Sequence, residues 1–282
     1  MHFADRLDAA MRKAGSPGVG VCVGLDPVLE NLPETLRVTH HEPLRAISEF
    51  GSGVLRAVAG VVPAVKFQSA CYERYGSKGV AVLEQHALEA ATLGLTVVLD
   101  AKRGDIGISA NHYAAAAAKL GAHAVTVSGY LGPSGVAPFL EAGLGVFVLV
   151  RTSNPDSDAV QSHALADGRT VAGMMADLVK DLGAGRMGEC GLSAAGAVVG
   201  ATKSAEGAAL RARMPDQVFL VPGYGAQGGT AEDIRALLRP DRRGVLVTAS
   251  RSIIYAKGER SWIDNIAAAA KSLRDEIAAI LR

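Results

Sequence analysis

The chain has 282 residues, of which 49% are hydrophobic and 20% are charged, and its formal net charge at pH 7 is +1. This composition is that of a protein with a sizeable core, which excludes intrinsic disorder as its main state. The near-zero charge also provides no electrostatic footprint for nucleic acid. The longest stretch without Asp, Glu, Lys or Arg, from Leu120 to Leu140, contains four glycines and two prolines. No membrane span is therefore predicted.

The N-terminal residues and the cysteines predict a cytoplasmic protein. Asp5, Arg6 and Asp8 stand where a signal peptide would need an apolar run, and the apolar residues among them predict a helix over 2–14. The three cysteines are an odd number without CxxC spacing. That usage is typical of a reducing compartment and predicts neither a disulfide framework nor a zinc site.

Short, apolar, β-branched runs alternate with Ala-rich amphipathic stretches along the whole chain. The runs predict buried parallel strands at Val21–Leu25, Ala64–Phe67, Thr96–Leu99, Ala124–Val127, Val146–Val150, Ala197–Gly200, Val218–Val221 and Val245–Val247. The stretches between and after them predict helices that include Val80–Leu93, Ile106–Leu120, Val171–Leu182, Ala231–Leu238 and 259–281. Repeated strand–helix units of this size favour a (β/α)8 TIM barrel, with a doubly wound sheet as the alternative.

No linker divides the sequence, so a single domain over 1–282 is expected. The polar, turn-rich segment Thr152–Gly168 follows the fifth strand. Most of it is interpreted as an extra surface insertion, and the alternative is a rim that covers a site.

The most informative segment is VVLDAKRGDIG, at the end of the third predicted strand. Asp100 and Lys102 are two residues apart and therefore share a strand face, and Asp105 follows in the connecting turn. Polar residues at the carboxyl ends of barrel strands face the mouth, where catalysis takes place. The alternative for this segment alone is a solvated surface ion pair.

Two neighbouring strands end in the same way. The first runs into Asp26 and the second contains Lys66 near its end. Two lysines among two or three aspartates form a network that favours the charged ammonium. Such a lysine is suited to donating a proton rather than to forming a Schiff base, which requires a lowered pKa.

The ends of the last two strands indicate a phosphate site. VPGYGAQGG spells G-x-G-x-x-G, but it lies too late in the chain for a dinucleotide fingerprint. We interpret it as a glycine loop whose amides, with Gln227, bind an anion. The eighth strand leads into Ser250 and Arg251, where a helix N-terminus and an arginine can bind phosphate. The alternative is a turn followed by a helix with Ser250 as its N-cap.

Taken together, the segments VGLDP, AVKFQ, LDAKRGDIG, VPGYGAQGG and ASRSI resemble the orotidine 5'-monophosphate (OMP) decarboxylases. The length and the LVRTSNP segment are similar to the longer bacterial branch of that family. The resemblance implies a (β/α)8 barrel that converts OMP to UMP in pyrimidine biosynthesis. It implies no cofactor and no metal, and a homodimer with shared active sites.

The resemblance also implies a role for each matching residue. Lys102 would protonate C6 of the pyrimidine, Asp100 would lie beside the leaving carboxylate, and Lys66 and Asp26 would contact the ribose. Ser153 would contact the pyrimidine ring. Asp105, with Ser109 behind it, would enter the active site of the partner subunit. The phosphate would be bound by Gln227, Arg251 and the loop that begins at Pro222 and Gly223, next to Ser250.

The chain departs from the family pattern after the fourth strand, where Ser128-Gly129 stands in place of an expected Asn-Pro. Two other functions stay open. A metal-dependent sugar-phosphate decarboxylase or aldolase would keep the Asp-x-Lys-x-x-Asp motif but have an acidic residue at position 66. A non-catalytic phosphosugar-binding barrel would need the phosphate loop but not Lys102.

Overall fold

Eight parallel strands close into a barrel in the order of the sequence, and β1 pairs with β8. The computed structural model describes residues 1–225 and 228–281. Its strands are β1 (Val19–Leu25), β2 (Ala64–Gln68), β3 (Thr96–Arg103), β4 (Ala124–Val127), β5 (Gly145–Arg151), β6 (Ala195–Val199), β7 (Phe219–Pro222) and β8 (Val245–Ala249). The (β/α)8 prediction is confirmed, and the doubly wound alternative is wrong because the sheet has no open edge.

Helices surround the barrel in the described residues. They are α1 (Phe3–Lys13), α2 (Glu34–Thr39), α3 (Pro43–Val58), α4 (Ala70–Glu73), α5 (Gly76–Thr92), α6 (Gly107–Leu120), α7 (Ala137–Glu141), α8 (Asp158–Gln161), α9 (Val171–Gly183), α10 (Ser204–Arg213), α11 (Ala231–Ala236), α12 (Arg251–Ile254) and α13 (Trp262–Ala279). None of these helices has both the length and the apolar character needed to cross a membrane.

The core has two parts. The larger lies between the strands and the outer helices, and the smaller fills the barrel itself. Helix α1 closes the end opposite the carboxyl ends of the strands: Phe3 packs edge-on against Phe147 of β5, with ring centroids 5.7 Å apart. The Asp5 carboxylate accepts a hydrogen bond from the Cys190 amide at 2.8 Å. The barrel interior is therefore packed at its base, which leaves its other end to form a site.

The third strand is longer than the sequence pattern predicts. It continues past Leu99 to Arg103, and its pairing with β4 shifts register between these two residues. Within this stretch Lys102 has a φ of 46°, a left-handed conformation that is rare for a residue with a side chain. Such strain occurs mainly at functional sites. The apolar pattern could not predict this extension, because it ends where the charges begin.

The half-buried His123 makes the stability of the fold sensitive to pH. Burial lowers its pKa to about 4, and its Nδ1 accepts a hydrogen bond from the Val97 amide at 2.9 Å. The unfolded chain takes up this proton near pH 6.5, while the folded chain does so only near its own lower pKa. Stability is therefore lost as the pH falls through this interval.

We expect His123→Asn, whose side-chain oxygen can accept the same hydrogen bond, to reduce this loss. Discounted for partial solvent exposure, the difference between pH 7 and pH 5 is about 1 kcal/mol. Denaturant titrations followed by the fluorescence of Trp262 at both pH values measure it. If the stability of the wild type and of the variant depends equally on pH, His123 is not the source of the effect.

Candidate active site

A cavity of about 540 Å³ opens at the carboxyl ends of the strands. Most of its lining comes from strand ends and the loops that follow them: Asp26, Lys66, Gln68, Asp100, Lys102, Thr126, Leu149, Thr152, Ser153, Asn154, Gln161, Val198, Leu220, Pro222, Gly223, Tyr224, Thr248, Ala249, Ser250, Arg251 and Ser252. The structure places Asp26, Lys66, Asp100 and Lys102, which were predicted to meet at one rim, together in this lining, and Arg251 lines the same cavity.

The carboxylate of Asp100 joins the two lysines. Its Oδ2 lies 2.8 Å from Lys66 Nζ, and its Oδ1 lies 2.6 Å from Lys102 Nζ. Asp26 stands on the other side of Lys66, with its Oδ1 3.6 Å from Nζ. The four side chains therefore form a row in which the charges alternate in sign.

The side chains of this row differ in burial, which affects their pKa values and their accessibility from the cavity. Burial alone would lower the pKa of Lys66, but the nearby carboxylates of Asp100 and Asp26 more than offset it and raise that pKa. Burial would likewise raise the pKa of Asp100, yet Lys66 and Lys102 lower it to about 2. Asp100 is therefore ionised at neutral pH, and Lys66 is a fixed cation. The Lys102 side chain is 49% exposed, against 9% for Lys66, so its ammonium is accessible from the cavity.

Sequence reasoning missed Thr126, which braces this network from β4. Its hydroxyl donates to Asp100 Oδ1 at 2.8 Å and accepts from the backbone N–H of Lys102 at 3.0 Å. These two bonds fix the Asp100 carboxylate and the strained backbone of Lys102. The available signal was a polar residue within a buried strand, where a hydroxyl needs a partner.

The loop after β1 is tied to the last part of the barrel. The Tyr255 hydroxyl donates to the Asp26 carbonyl at 3.1 Å and accepts from the Val28 amide at 2.8 Å. The Asp26 Oδ1 atom is buried and has no hydrogen-bond partner among the described residues. Asp26 as a residue lines the cavity, so its carboxylate is a candidate acceptor for a ligand hydroxyl.

Pro222, Gly223, Ser250 and Arg251 line the cavity on the side of β7 and β8. Gln227, predicted in the same region, lies outside the described residues. Ser250 stands at the N-cap position of α12, as the alternative expected, but its hydroxyl makes no cap hydrogen bond and donates instead to the Gly24 carbonyl at 3.0 Å. Helix α12 has only four residues. Among the described residues on this side, the exposed Arg251 guanidinium is therefore the main candidate for binding an anion.

Part of the polar segment after β5 forms the rim of the cavity. Thr152, Ser153, Asn154 and Gln161 line it, whereas the residues from His163 to Gly168 do not. The rim alternative therefore holds for these four residues, and the rest of 152–168, which does not line the cavity, keeps the insertion interpretation. The signal missed in the sequence was Arg151, a charge at the end of an apolar strand, which is buried beneath this rim.

Asp105 and Ser109 do not line the cavity of their own chain. The Asp105 carboxylate accepts a hydrogen bond from the Ile106 amide at 2.8 Å. Around it, apolar side chains are exposed on α6 and on the loop after β4: Ile106, Ile108, Tyr113, Tyr130 and Leu131. The geometry of a single chain therefore does not bring these two predicted site residues to the others.

The Ser128-Gly129 departure has a local steric reason. A Cβ atom at position 129 would lie 2.9 Å from Val148 Cγ1 and 3.0 Å from Met175 Sδ. A side chain at position 129 would therefore require Val148 or Met175 to shift, because this loop packs closely on β5 and α9. Among residues 1–225 and 228–281, no three His, Cys, Asp or Glu side chains are grouped so as to hold a metal ion.

The closed barrel and the alternating Asp–Lys row at its carboxyl end define a (β/α)8-barrel enzyme. A family model described as "Orotidine 5'-phosphate decarboxylase / HUMPS family" matches residues 21–266. The chain belongs to this family, which confirms the resemblance seen in its motifs.

Individual proteins agree with this assignment over the whole chain. A relative from Rhodopirellula baltica named orotidine 5'-phosphate decarboxylase is 38% identical, covering 98% of this chain and 99% of its own. One of the same name from Salinispora tropica is 42% identical over 90% of each chain. A crystal structure titled as a putative orotidine-monophosphate-decarboxylase from Toxoplasma gondii is 30% identical, with a TM-score of 0.85, covering 98% of this chain and 94% of that one.

Proposed function

We propose that this protein decarboxylates OMP to UMP in de novo pyrimidine biosynthesis, as a single-domain cytoplasmic enzyme without a cofactor. The main structural support is the Asp100 carboxylate that joins Lys66 and Lys102 at the cavity wall. Family membership supports the same reaction. The chemistry assigned below to each residue is part of the proposal.

The reaction requires a stabilised anion in the plane of the ring. The bond between C6 and the carboxylate breaks, CO2 leaves, and the electron pair stays on C6, where the π system cannot delocalise it. The ammonium of Lys102 stabilises this pair electrostatically and then transfers a proton to C6. Lys102 regains its proton from water. Its exposed ammonium, anchored at 2.6 Å by Asp100, suits this role.

The other residues of the network prepare Lys102 and bind the sugar. Asp100 lies beside the leaving carboxylate, and its charge disfavours the bound carboxylate more than the CO2 that forms. Lys66 and Asp26, which both line the cavity, contact the ribose. Ser153 contacts the pyrimidine ring from the rim after β5.

At the other side of the cavity, Arg251 binds the phosphate, together with backbone amides of the loop from Pro222 and Gly223 and with Gln227. Ser250, directly after β8, lines the same side of the cavity. Because the phosphate is remote from C6, its binding energy contributes to orienting the substrate and to the chemical step.

The exposed apolar residues around Asp105 support a homodimer with shared sites. A contiguous group of such side chains typically marks an interface. A two-fold axis at the α6 surface would place Asp105, with Ser109 behind it, at the cavity of the partner and exchange the two chains' aspartates reciprocally.

The metal-dependent alternative is disfavoured by Lys66. A divalent cation at this position would meet two ammonium groups, Lys66 and Lys102, with Asp100 already paired to both. The non-catalytic alternative gives no reason for the strained left-handed backbone of Lys102 or for the complete Asp–Lys row beside it.

The direct test is the decrease in OMP absorbance with purified protein in the presence of EDTA. We expect turnover, and UMP as the product. Activity that is abolished by EDTA and restored by a divalent metal would favour the metal-dependent alternative. No turnover of OMP by well-folded protein would contradict the proposal.

Lys102→Ala should abolish this activity while the fold and UMP binding are kept. General-acid catalysis alone contributes about 10²–10⁴-fold, so we expect kcat to fall by more than about 10²-fold. Lys119→Ala, which removes an exposed lysine outside the cavity, is the matched control. A variant at position 102 that retains more than about a tenth of the wild-type kcat would rule out the proton-donor role.

Arg251→Ala should mainly weaken substrate binding. Loss of a charge-assisted contact to phosphate predicts a rise in KM for OMP of roughly 10- to 100-fold, with a smaller fall in kcat. Orotidine, which lacks the phosphate, should be nearly indifferent to the change. Arg260→Ala, an exposed arginine that does not line the cavity, serves as the control. If orotidine loses as much kcat/KM as OMP does, Arg251 is not a phosphate ligand.

Mixing two inactive variants tests the shared site. When Lys102→Ala and Asp105→Ala subunits exchange at random, about half of the dimers are heterodimers, each with one intact site if Asp105 acts on the partner. About a quarter of the wild-type activity should then return. If Asp105 acts within its own chain, activity stays at the sum of the two variants although exchange is confirmed by mass spectrometry.

A further inference from the structure

A buried charged network centred on Arg151 lies beneath the rim after β5, and none of the catalytic roles proposed above involves it. The Arg151 side chain is 2% exposed. Its guanidinium donates to the side chains of Ser157, Asp158, Gln161, Ser162 and Glu206. The carboxylates of Asp158 and Glu206 balance its charge. The network therefore joins β5, the rim and helix α10 into one unit.

This network fixes the orientation of the Gln161 amide. The Thr152 backbone N–H donates to Gln161 Oε1 at 2.8 Å, and Arg151 Nη1 donates to the same oxygen at 3.4 Å. Both groups can only donate, so the oxygen of the amide is unambiguous. On its other side, Gln161 Nε2 donates one hydrogen to Thr152 Oγ1 at 2.8 Å.

The second hydrogen of Gln161 Nε2 has no protein partner among residues 1–225 and 228–281. Gln161 lines the cavity, and its side chain cannot turn over without losing the bonds of Arg151 and Thr152 to its oxygen. An amide with three of its bonding positions occupied and one N–H left at a cavity wall is a preorganised donor.

We propose that Gln161 binds the substrate by donating this N–H to a ring carbonyl oxygen of the pyrimidine, and that Arg151 is the residue that positions it. This inference rests on the proposed function. A neutral donor suits a neutral carbonyl oxygen. Gln161 also belongs to the rim after β5, which is three strands away from β8 and from the cationic Arg251, the proposed phosphate ligand. Ser153, on the same rim, has the pyrimidine as its proposed partner.

Gln161→Met tests the donor, since it removes both hydrogens at similar size. Loss of a hydrogen bond of this kind predicts a fall in kcat/KM for OMP of about tenfold. Orotidine should lose about the same factor, because the contact is to the base. The matched control is Arg169→Met, which removes the ion pairs to Asp167 and Asp177 in the same β5–α9 connection but does not line the cavity.

Gln161→Glu is the second variant. It keeps an oxygen for Arg151 and Thr152 but removes the donor, so it should also lose kcat/KM even if Gln161→Met is poorly folded. Wild-type kcat/KM in either well-folded variant would overturn the inference. A loss confined to OMP, with orotidine unaffected, would also overturn it, because the contact would then be to the phosphate.

The role of Arg151 is read from a double-mutant cycle. Arg151→Met should reproduce most of the loss caused by Gln161→Met, and the double variant should lose little more. Arg151→Lys, which retains a charge for the two carboxylates, should recover part of the activity. Additive losses would show that Arg151 does not act through Gln161. Wild-type protein that fails to turn over OMP contradicts the proposed function, whereas active wild type with unaffected variants contradicts only this inference.

Discussion

The site depends on one buried carboxylate. Asp100 is 7% exposed and bonds to both lysines and to the Thr126 hydroxyl. An unpaired charge at this depth would be costly, and removing Asp100 would leave Lys66 with only the longer contact to Asp26. Because two cations lower its pKa to about 2, Asp100 stays ionised across the physiological range. It can therefore anchor the Lys102 ammonium while that group loses and regains a proton.

The same arrangement explains why the barrel tolerates strain at Lys102. A left-handed backbone at a residue with a side chain persists only when its surroundings determine it. Here the Thr126 hydroxyl binds the backbone N–H of Lys102, and Asp100 binds its ammonium. The conformation of Lys102 is thus held by its immediate neighbours on β3 and β4, while its side chain lines the cavity.

The barrel was predictable because its strands are buried on both faces and its helices on one, which leaves strong apolar patterns. Asp26, Lys66, Asp100 and Lys102 were predictable because each interrupts such a pattern near a strand end. Thr126 and Gln161 were not, since their importance depends on partners distant in space. The partner of the Ser250 hydroxyl was not predictable either, because the closeness of Gly24 in β1 to the end of β8 follows only from closure of the barrel.

Two kinds of side chain surround the cavity: fully charged ones, which act electrostatically, and neutral ones, which act through oriented hydrogen bonds. The Asp–Lys row acts through full charges whose strength depends on burial, so it can stabilise an anion that forms only during the reaction. The rim after β5 presents neutral groups, Thr152, Asn154 and Gln161, oriented by a chain of hydrogen bonds that begins at the buried Arg151. Neutral donors add little to the stabilisation of a carbanion, but they distinguish one ring from another, because a mismatched substrate leaves them unpaired. In the proposed reaction, this arrangement of charged and neutral walls would assign catalysis to one wall of the cavity and recognition of the ring to the other.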